Sequence, residues 1–182
     1  MNQTFKKYTF IEFLNLDQKE RERYEATGKL LKAKSFGVSD VMKWDYLTVK
    51  EIQAKLSNSI DYQGIIDIIQ ELTAWGIEKI MQKTWIDIFQ FLKFVDESIQ
   101  KITEKEENLS YDPDADEENA GIENYNQFGY FATIDRLAGG DPLKYESIGK
   151  MEYSIIYAKL LLNKVDSEFI KNYHRIKSKS KS

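Results

Sequence analysis

Apolar side chains recur along this chain at intervals of three and four residues, and strand-like alternation is scarce, so the pattern predicts helices almost throughout. Phe10, Phe13, Leu14 and Leu16 make a short apolar face over 9–16. Asp17 caps a following helix whose Lys19, Glu20, Arg21, Glu22, Arg23 and Glu25 face water, with Leu30, Leu31 and Phe36 as its buried contacts before Gly37. Thr48-Val49-Lys50-Glu51 reads as a capping box, and Val49, Ile52 and Leu56 as the stripe of a helix that ends at Ser57-Asn58-Ser59. Asp61 is the next cap. The spacing of Ile65, Ile68, Ile69 and Leu72 favours a helix over a strand despite the β-branched side chains. Trp75 and Gly76 break that helix, and 77–81 reads as a linking turn.

The longest predicted helix covers 84–103, with Trp85, Ile88, Phe89, Leu92, Val95, Ile99 and Ile102 pointing inward. Residues 104–120 are acidic, nearly free of apolar side chains and contain Pro113, which reads as a mobile loop. Tyr125, Phe128, Phe131, Ile134 and Leu137 are spaced for one helix over 122–138, stopped by Gly139-Gly140, and Asp141-Pro142 opens a new turn. The last helix, 152–175, carries Ile155, Ile156, Leu160, Leu162, Phe169 and Tyr173, and a Ser-Lys tail follows. No internal repeat and no heptad run is read. The expected fold is all-α, an irregular bundle of about six to seven helices. Its parts are an N-terminal helical part (1–103), the acidic flexible loop (104–120), a C-terminal part packed on the first (121–176) and a basic flexible tail (177–182).

Composition narrows the function classes. The absence of cysteine excludes disulfides, thiolate catalysis and Cys-based zinc sites. A net charge of −4 argues against a whole-surface attraction to nucleic acid or anionic membrane. The N-terminus lacks the apolar core of a signal peptide, and no stretch approaches the roughly 20 apolar residues of a membrane span, so a soluble, cytosolically made protein is expected. Aromatics reach 13 %, generous for a chain of 182 residues, and Trp and Tyr are favoured contact residues at interfaces. Trp75, Trp85, Phe89, Tyr130, Tyr145, Tyr153 and Tyr157 are the candidate protein-contact residues.

Candidate chemistry is thin. His174, the single histidine, cannot build a metal site alone and reads as a surface residue against a helix C-terminal dipole. Asp112, Asp114, Asp116 and Glu123 fall at calcium-loop positions one, three, five and twelve, but position six is Glu117 where a sharp turn needs Gly, and position eight is Asn119. Gly139-Gly140 lacks the remainder of any phosphate-binding pattern and reads as a helix stop. Asp87 and Asp96 lie too far apart along one helix to share a proton. No catalytic, cofactor-binding or metal-binding residue is assigned, and the reading is of a non-enzymatic protein without cofactors.

The segment Leu137-Ala138-Gly139-Gly140-Asp141-Pro142-Leu143-Lys144-Tyr145-Glu146, followed by Met151-Glu152-Tyr153-Ser154-Ile155-Ile156-Tyr157, resembles C-terminal parts of small structural and assembly proteins of tailed bacteriophages. Leu47-Thr48-Val49-Lys50-Glu51-Ile52 with the helices at 65–72 and 84–103 resembles the middle of such proteins. The Lys-, Ile-, Asn- and Tyr-rich usage suits an AT-rich phage genome such as those of the crAss-like group. The resemblance implies a virion component near the portal, neck or tail, built as a homo-oligomeric ring among other phage structural proteins. It implies as the alternative a tail assembly chaperone left out of the virion. Location would then be the virion, or the host cytoplasm during assembly. A regulatory protein-binding module is the rival from another class, and neither membrane nor nucleic acid is an expected partner.

Overall fold

The structure, a computed structural model, describes residues 5–58, 60–111 and 113–179. Among these it is all-α, with ten α-helices, three short 3-10 helices and no strand. In chain order the helices are α1 (Phe10–Leu14), α2 (Gln18–Gly28), α3 (Tyr46–Leu56), α4 (Tyr62–Thr73), α5 (Ile77–Gln82), α6 (Trp85–Glu107), α7 (Ala115–Asn119), α8 (Tyr130–Ala138), α9 (Tyr145–Gly149) and α10 (Tyr153–Lys179). The count exceeds the expected bundle because α1, α5, α7 and α9 have only five or six residues, too few to display a 3.6-residue period. None of the described helices is long and apolar enough to cross a membrane.

The chain divides into two units. The first comprises 1–40 and 51–101, the second 41–50 and 102–182. This division groups residues 41–50 with 102–182, where the sequence reading draws one boundary after 103. Backbone bonds tie this stretch to the start of α10, Tyr46 to Met151 and Tyr153 to Trp44, and its Val41, Trp44, Tyr46 and Val49 are all buried.

Side-chain caps set half of the α-helix starts, those of α1, α2, α4, α6 and α7. The Asp17 carboxylate accepts the Glu20 amide at 2.9 Å, and Asp61 accepts that of Gly64 at 2.8 Å, as the sequence predicts. Thr9 and Glu12 form a reciprocal capping box on α1, and on α6 the Thr84 hydroxyl accepts the Asp87 amide at 3.1 Å while donating to the Asp87 carboxylate at 2.8 Å. The box expected at Thr48 is not a helix start. The helix begins at Tyr46, because the Tyr46 amide donates to the Met151 carbonyl at 2.8 Å and the Val49 amide donates to that of Asp45 at 3.0 Å.

One device occurs in both units. In the first, the Phe10 amide donates to the Lys83 carbonyl (2.7 Å) and the Trp85 amide to that of Tyr8 (3.1 Å), clasping the starts of α1 and α6 through paired Thr9 and Thr84. In the second, the Tyr46 amide bonds Met151 (2.8 Å) and the Tyr153 amide bonds Trp44 (2.8 Å), clasping α3 and α10 through Asp45 and Glu152. Each clasp satisfies first-turn amides that a helix cannot satisfy internally. The first helical residue is aromatic in all four cases, and Phe10, Trp85, Tyr46 and Tyr153 are at most 2 % exposed. A polar cap followed by a buried aromatic is thus a structural recurrence in a chain whose sequence shows no long repeat.

In the first unit Phe13 is the hub. Its ring lies within 5.6–6.5 Å of Phe10, Tyr24, Tyr62, Trp85 and Phe89. Geometries of this kind add roughly 0.5–1.5 kcal/mol per pair beyond burial. The expected inner face of α6 holds for Trp85, Ile88, Val95, Ile99 and Ile102, but Phe91 is buried while Phe89 and Leu92 are half-buried. In the second unit the single helix expected over 122–138 is split. A 3-10 helix (Ile122–Phe128) ends at Gly129, whose φ of 50° and ψ of −133° no side chain tolerates well, and α8 starts after it. Gly139 and Gly140 (φ 69° and 75°) stop α8, and Asp141 accepts the Leu143 amide at 3.1 Å, both as expected.

Candidate interaction surface

The seven aromatic contact candidates do not form one outward face. Trp85 and Tyr153 are each 1 % exposed and belong to the cores. Trp75, Phe89, Tyr130, Tyr145 and Tyr157 are half-buried. Trp75 lies edge-on to Phe36 at 5.7 Å with Lys79 and Lys83 each 4.8 Å from its ring centroid, an aromatic patch carrying positive charge. Phe89 packs on Phe13 and Trp85. Tyr145 donates to Asp135 at 2.5 Å and meets Phe131 edge-on at 5.1 Å, tying α9 to α8. Composition located the aromatic wealth correctly, but these side chains spend most of it inside the fold.

The main polar cluster of the second unit surrounds Glu106, near the end of α6. One of its carboxylate oxygens accepts both the Lys50 ammonium (2.5 Å) and the Tyr153 hydroxyl (2.5 Å). The Lys50 and Glu106 side chains keep only 16 % and 26 % of their surface exposed. Tyr46 and Tyr157 each stack on Tyr153, at 6.0 and 6.3 Å. Burial, reinforced by the hydrogen bond to Glu106 and its charge, holds the Tyr153 phenol far above the ordinary tyrosine range. Tyr46 is pushed up to about 12, chiefly by burial. These phenols are proton-holding structural groups at neutral pH, and the carboxylate is engaged by two donors of its own chain.

The acidic segment departs from the expectation of a continuous mobile loop. Here α6 runs to Glu107, and Asp114 and Glu117 cap α7 reciprocally. Two lysines of α10 bind the segment: Lys164 donates to the carbonyls of Asn108 (2.9 Å) and Ser110 (3.1 Å), and Lys171 to the Asp114 carboxylate at 3.0 Å. The basic neighbour for this acidic stretch is therefore part of the same chain. Asp112, the first position of the calcium-loop pattern, lies outside the described residues, as do Ser59 and the tail beyond Lys179. Among the described residues no three His, Cys, Asp or Glu side chains converge to hold a metal ion. His174 is exposed near the end of α10.

The face of α10 away from Lys164 and Lys171 is open, and from Val165 to Ser178 every residue of the helix is exposed. Ile155, Leu162, Val165, Phe169, Tyr173 and Ile176 are exposed, from 51 % at Leu162 to 67 % at Phe169. At 100° per residue these six fall on one stripe, which runs for about 32 Å at a rise of about 1.5 Å per residue. Phe169 and Tyr173 stack on each other along it (6.2 Å), with the Lys177 ammonium 5.9 Å from the Tyr173 ring. Single exposed apolar residues need no explanation; six in line do. Sequence reading placed Ile155, Leu162, Phe169 and Tyr173 on the last helix but missed this stripe. The signal was available in the seven-residue interval of Ile155, Leu162, Phe169 and Ile176, weakened by Ala158 and Asn172 between them.

Fold and surface together define an all-helical protein whose most conspicuous external feature is an apolar helix face. Comparison with protein-family models, curated proteins and solved structures finds no match.

Proposed function

We propose that this protein is a non-enzymatic assembly component that works by helix-face contacts, and that the exposed stripe of α10 is its principal contact surface. The stripe carries the reading. Large apolar side chains lining one helix face cost free energy in water, roughly 25 cal/mol per Å² of apolar surface, that is recovered when a partner covers them. The reverse face is held by Lys164 and Lys171, so the helix presents the stripe from a fixed base. The internal engagement of Glu106 by Lys50 and Tyr153 supports a structural role for the main polar cluster over a catalytic one.

The biological setting follows from the resemblance to small phage structural proteins: a virion component at the portal, neck or tail, contacting other phage structural proteins. Gradient sedimentation of material from the native source, with mass spectrometry locating the chain, tests this. Travel with large particles at a fixed copy ratio supports the virion role. Residence in light fractions with one other protein replaces it with the assembly-chaperone reading. A chain that travels alone, with a profile unchanged by the double substitution L162E/F169E, overturns the contact reading altogether.

A further inference from the structure

We infer that a second copy of this chain covers the α10 stripe, the two helices pairing in parallel and in register as a short two-stranded coiled coil. The inference rests on the reading of α10 as the contact surface and names the occupant of that surface.

Three observations select it. The first is the period. Ile155, Leu162, Phe169 and Ile176 recur every seven residues and are all exposed, with Ala158, Val165 and Asn172 three residues after the first three of them. That is the a/d arrangement of a helix whose neighbour is another helix of the same repeat, and a second copy supplies one in perfect phase.

The second is the polar position. Every antiparallel a-to-d register that stacks the two stripes sets Asn172 opposite Ile155, Leu162 or Phe169, leaving its amide in an apolar layer. Parallel, in-register pairing sets Asn172 against its own counterpart, where the two side-chain amides hydrogen-bond each other. A paired polar layer at this d position sets the register, since any shift leaves each amide against an apolar side chain, at some cost in stability. The flanking positions agree: the same alignment brings Glu168 beside the other copy's Tyr173 hydroxyl and Leu161 beside Asp166, with no like charges opposed.

The third is area. Six large side chains, each more than half exposed, present on the order of 600 Å² at about 100 Å² apiece, a value scaled from aromatic burial. Two copies then bury roughly 1,200 Å² between them, the lower bound of stable specific interfaces.

The test is sedimentation equilibrium of the full chain from low to high micromolar concentration. A dimer is expected, and L162E/F169E should weaken it roughly 100-fold or more by bringing four carboxylates into a dry seam. Far-UV circular dichroism of the variant should match the wild type, since both positions are exposed. Orientation is read with F169C, the sole cysteine in a chain that has none. In the parallel pair it oxidises to a disulfide-linked dimer. A chain that stays monomeric throughout, or a dimer indifferent to L162E/F169E, overturns the inference, and a dimer in which F169C fails to cross-link overturns its parallel form. Monomeric protein whose L162E/F169E variant still loses its heavier partner in the native gradient refutes self-pairing while leaving the contact reading intact. If monomer and variant sediment alike there, both fall.

Discussion

Replacing Tyr153 with Phe removes one hydroxyl from the centre of the second unit and leaves the ring in place. That hydroxyl donates to Glu106 at 2.5 Å, and Tyr153 is 1 % exposed, so water does not reach the vacated site from the tyrosine side. Hydrogen bonds to charged groups contribute about 1.5–3 kcal/mol. The Glu106 side chain, however, keeps 26 % of its surface in solvent and retains Lys50, so the lower end applies: about 1.5 kcal/mol of lost stability. Glu106→Ala is more damaging, about 3 kcal/mol, because it strands the Lys50 ammonium and the tyrosine hydroxyl together. Once Tyr153 is Phe, the further loss on removing Glu106 should shrink by about 1 kcal/mol, the coupling a double-mutant cycle isolates. Urea denaturation followed by far-UV circular dichroism and by tryptophan fluorescence measures all three variants and shows whether both probes report one transition. In heating, 1 kcal/mol corresponds to roughly 2–4 °C for a chain of this length. A Y153F protein within 0.3 kcal/mol of wild type, or an E106A protein no worse than Y153F, would refute the account of this cluster as a stabilising network.

Three further outcomes follow from local geometry. A Cβ on Gly28 would approach Phe89 Cδ1 to 2.4 Å, so Gly28→Ala should cost about 1–3 kcal/mol by prising α2 from α6, measured by the same denaturation. Ala74 ends α4 in the left-handed region (φ 54°) and is exposed, so Ala74→Gly should be neutral to stabilising by up to about 1 kcal/mol, whereas a β-branched residue there should destabilise. The folded state holds the protons of Tyr46 and Tyr62 up to about 12, chiefly through burial, while an unfolded tyrosine releases its proton near pH 10. Their contribution is therefore complete below about pH 10 and is lost as pH rises towards 12. Melting temperature should stay level up to about pH 10 and fall beyond it, and Tyr46→Phe should blunt the fall.

Where the sequence was legible, the local rule and the packing agreed. Asp17, Asp61 and Asp141 cap because their carboxylates reach nearby backbone amides whatever the rest of the chain does. Gly139 stops α8 for an equally local reason. The Thr48 box failed because a distant partner, the Met151 carbonyl, starts that helix earlier, and no window of sequence contains both ends of such a bond. Phe91 took the buried position expected of Leu92 because neighbours on other elements, not the period alone, decide which side of a broad apolar face is covered. Residue type marks Trp and Tyr as contact-formers but is silent on whether the contact lies inside the fold, as for Trp85 and Tyr153, or outside it. An exposed stripe of aliphatic residues is distinguishable from a core stripe only when it is known what lies opposite.

The clasp between Asp45 and Glu152 sets an order of events during synthesis. The chain's first clasp, Thr9 with Thr84, can close as soon as the first half has left the ribosome. Tyr46 emerges earlier still than Thr84, but the carbonyl it needs comes more than a hundred residues later, roughly 5–20 s at about 5–20 residues per second. Through that interval Val41, Trp44, Tyr46 and Val49, all buried in the finished protein, remain without the start of α10 that clasps them. A ribosome that stalls before Glu152 thus releases a chain with its first clasp closed and an apolar segment uncovered, a form suited to capture by chaperones and to aggregation. Closure of the second clasp at Glu152 is what ties that segment into its unit.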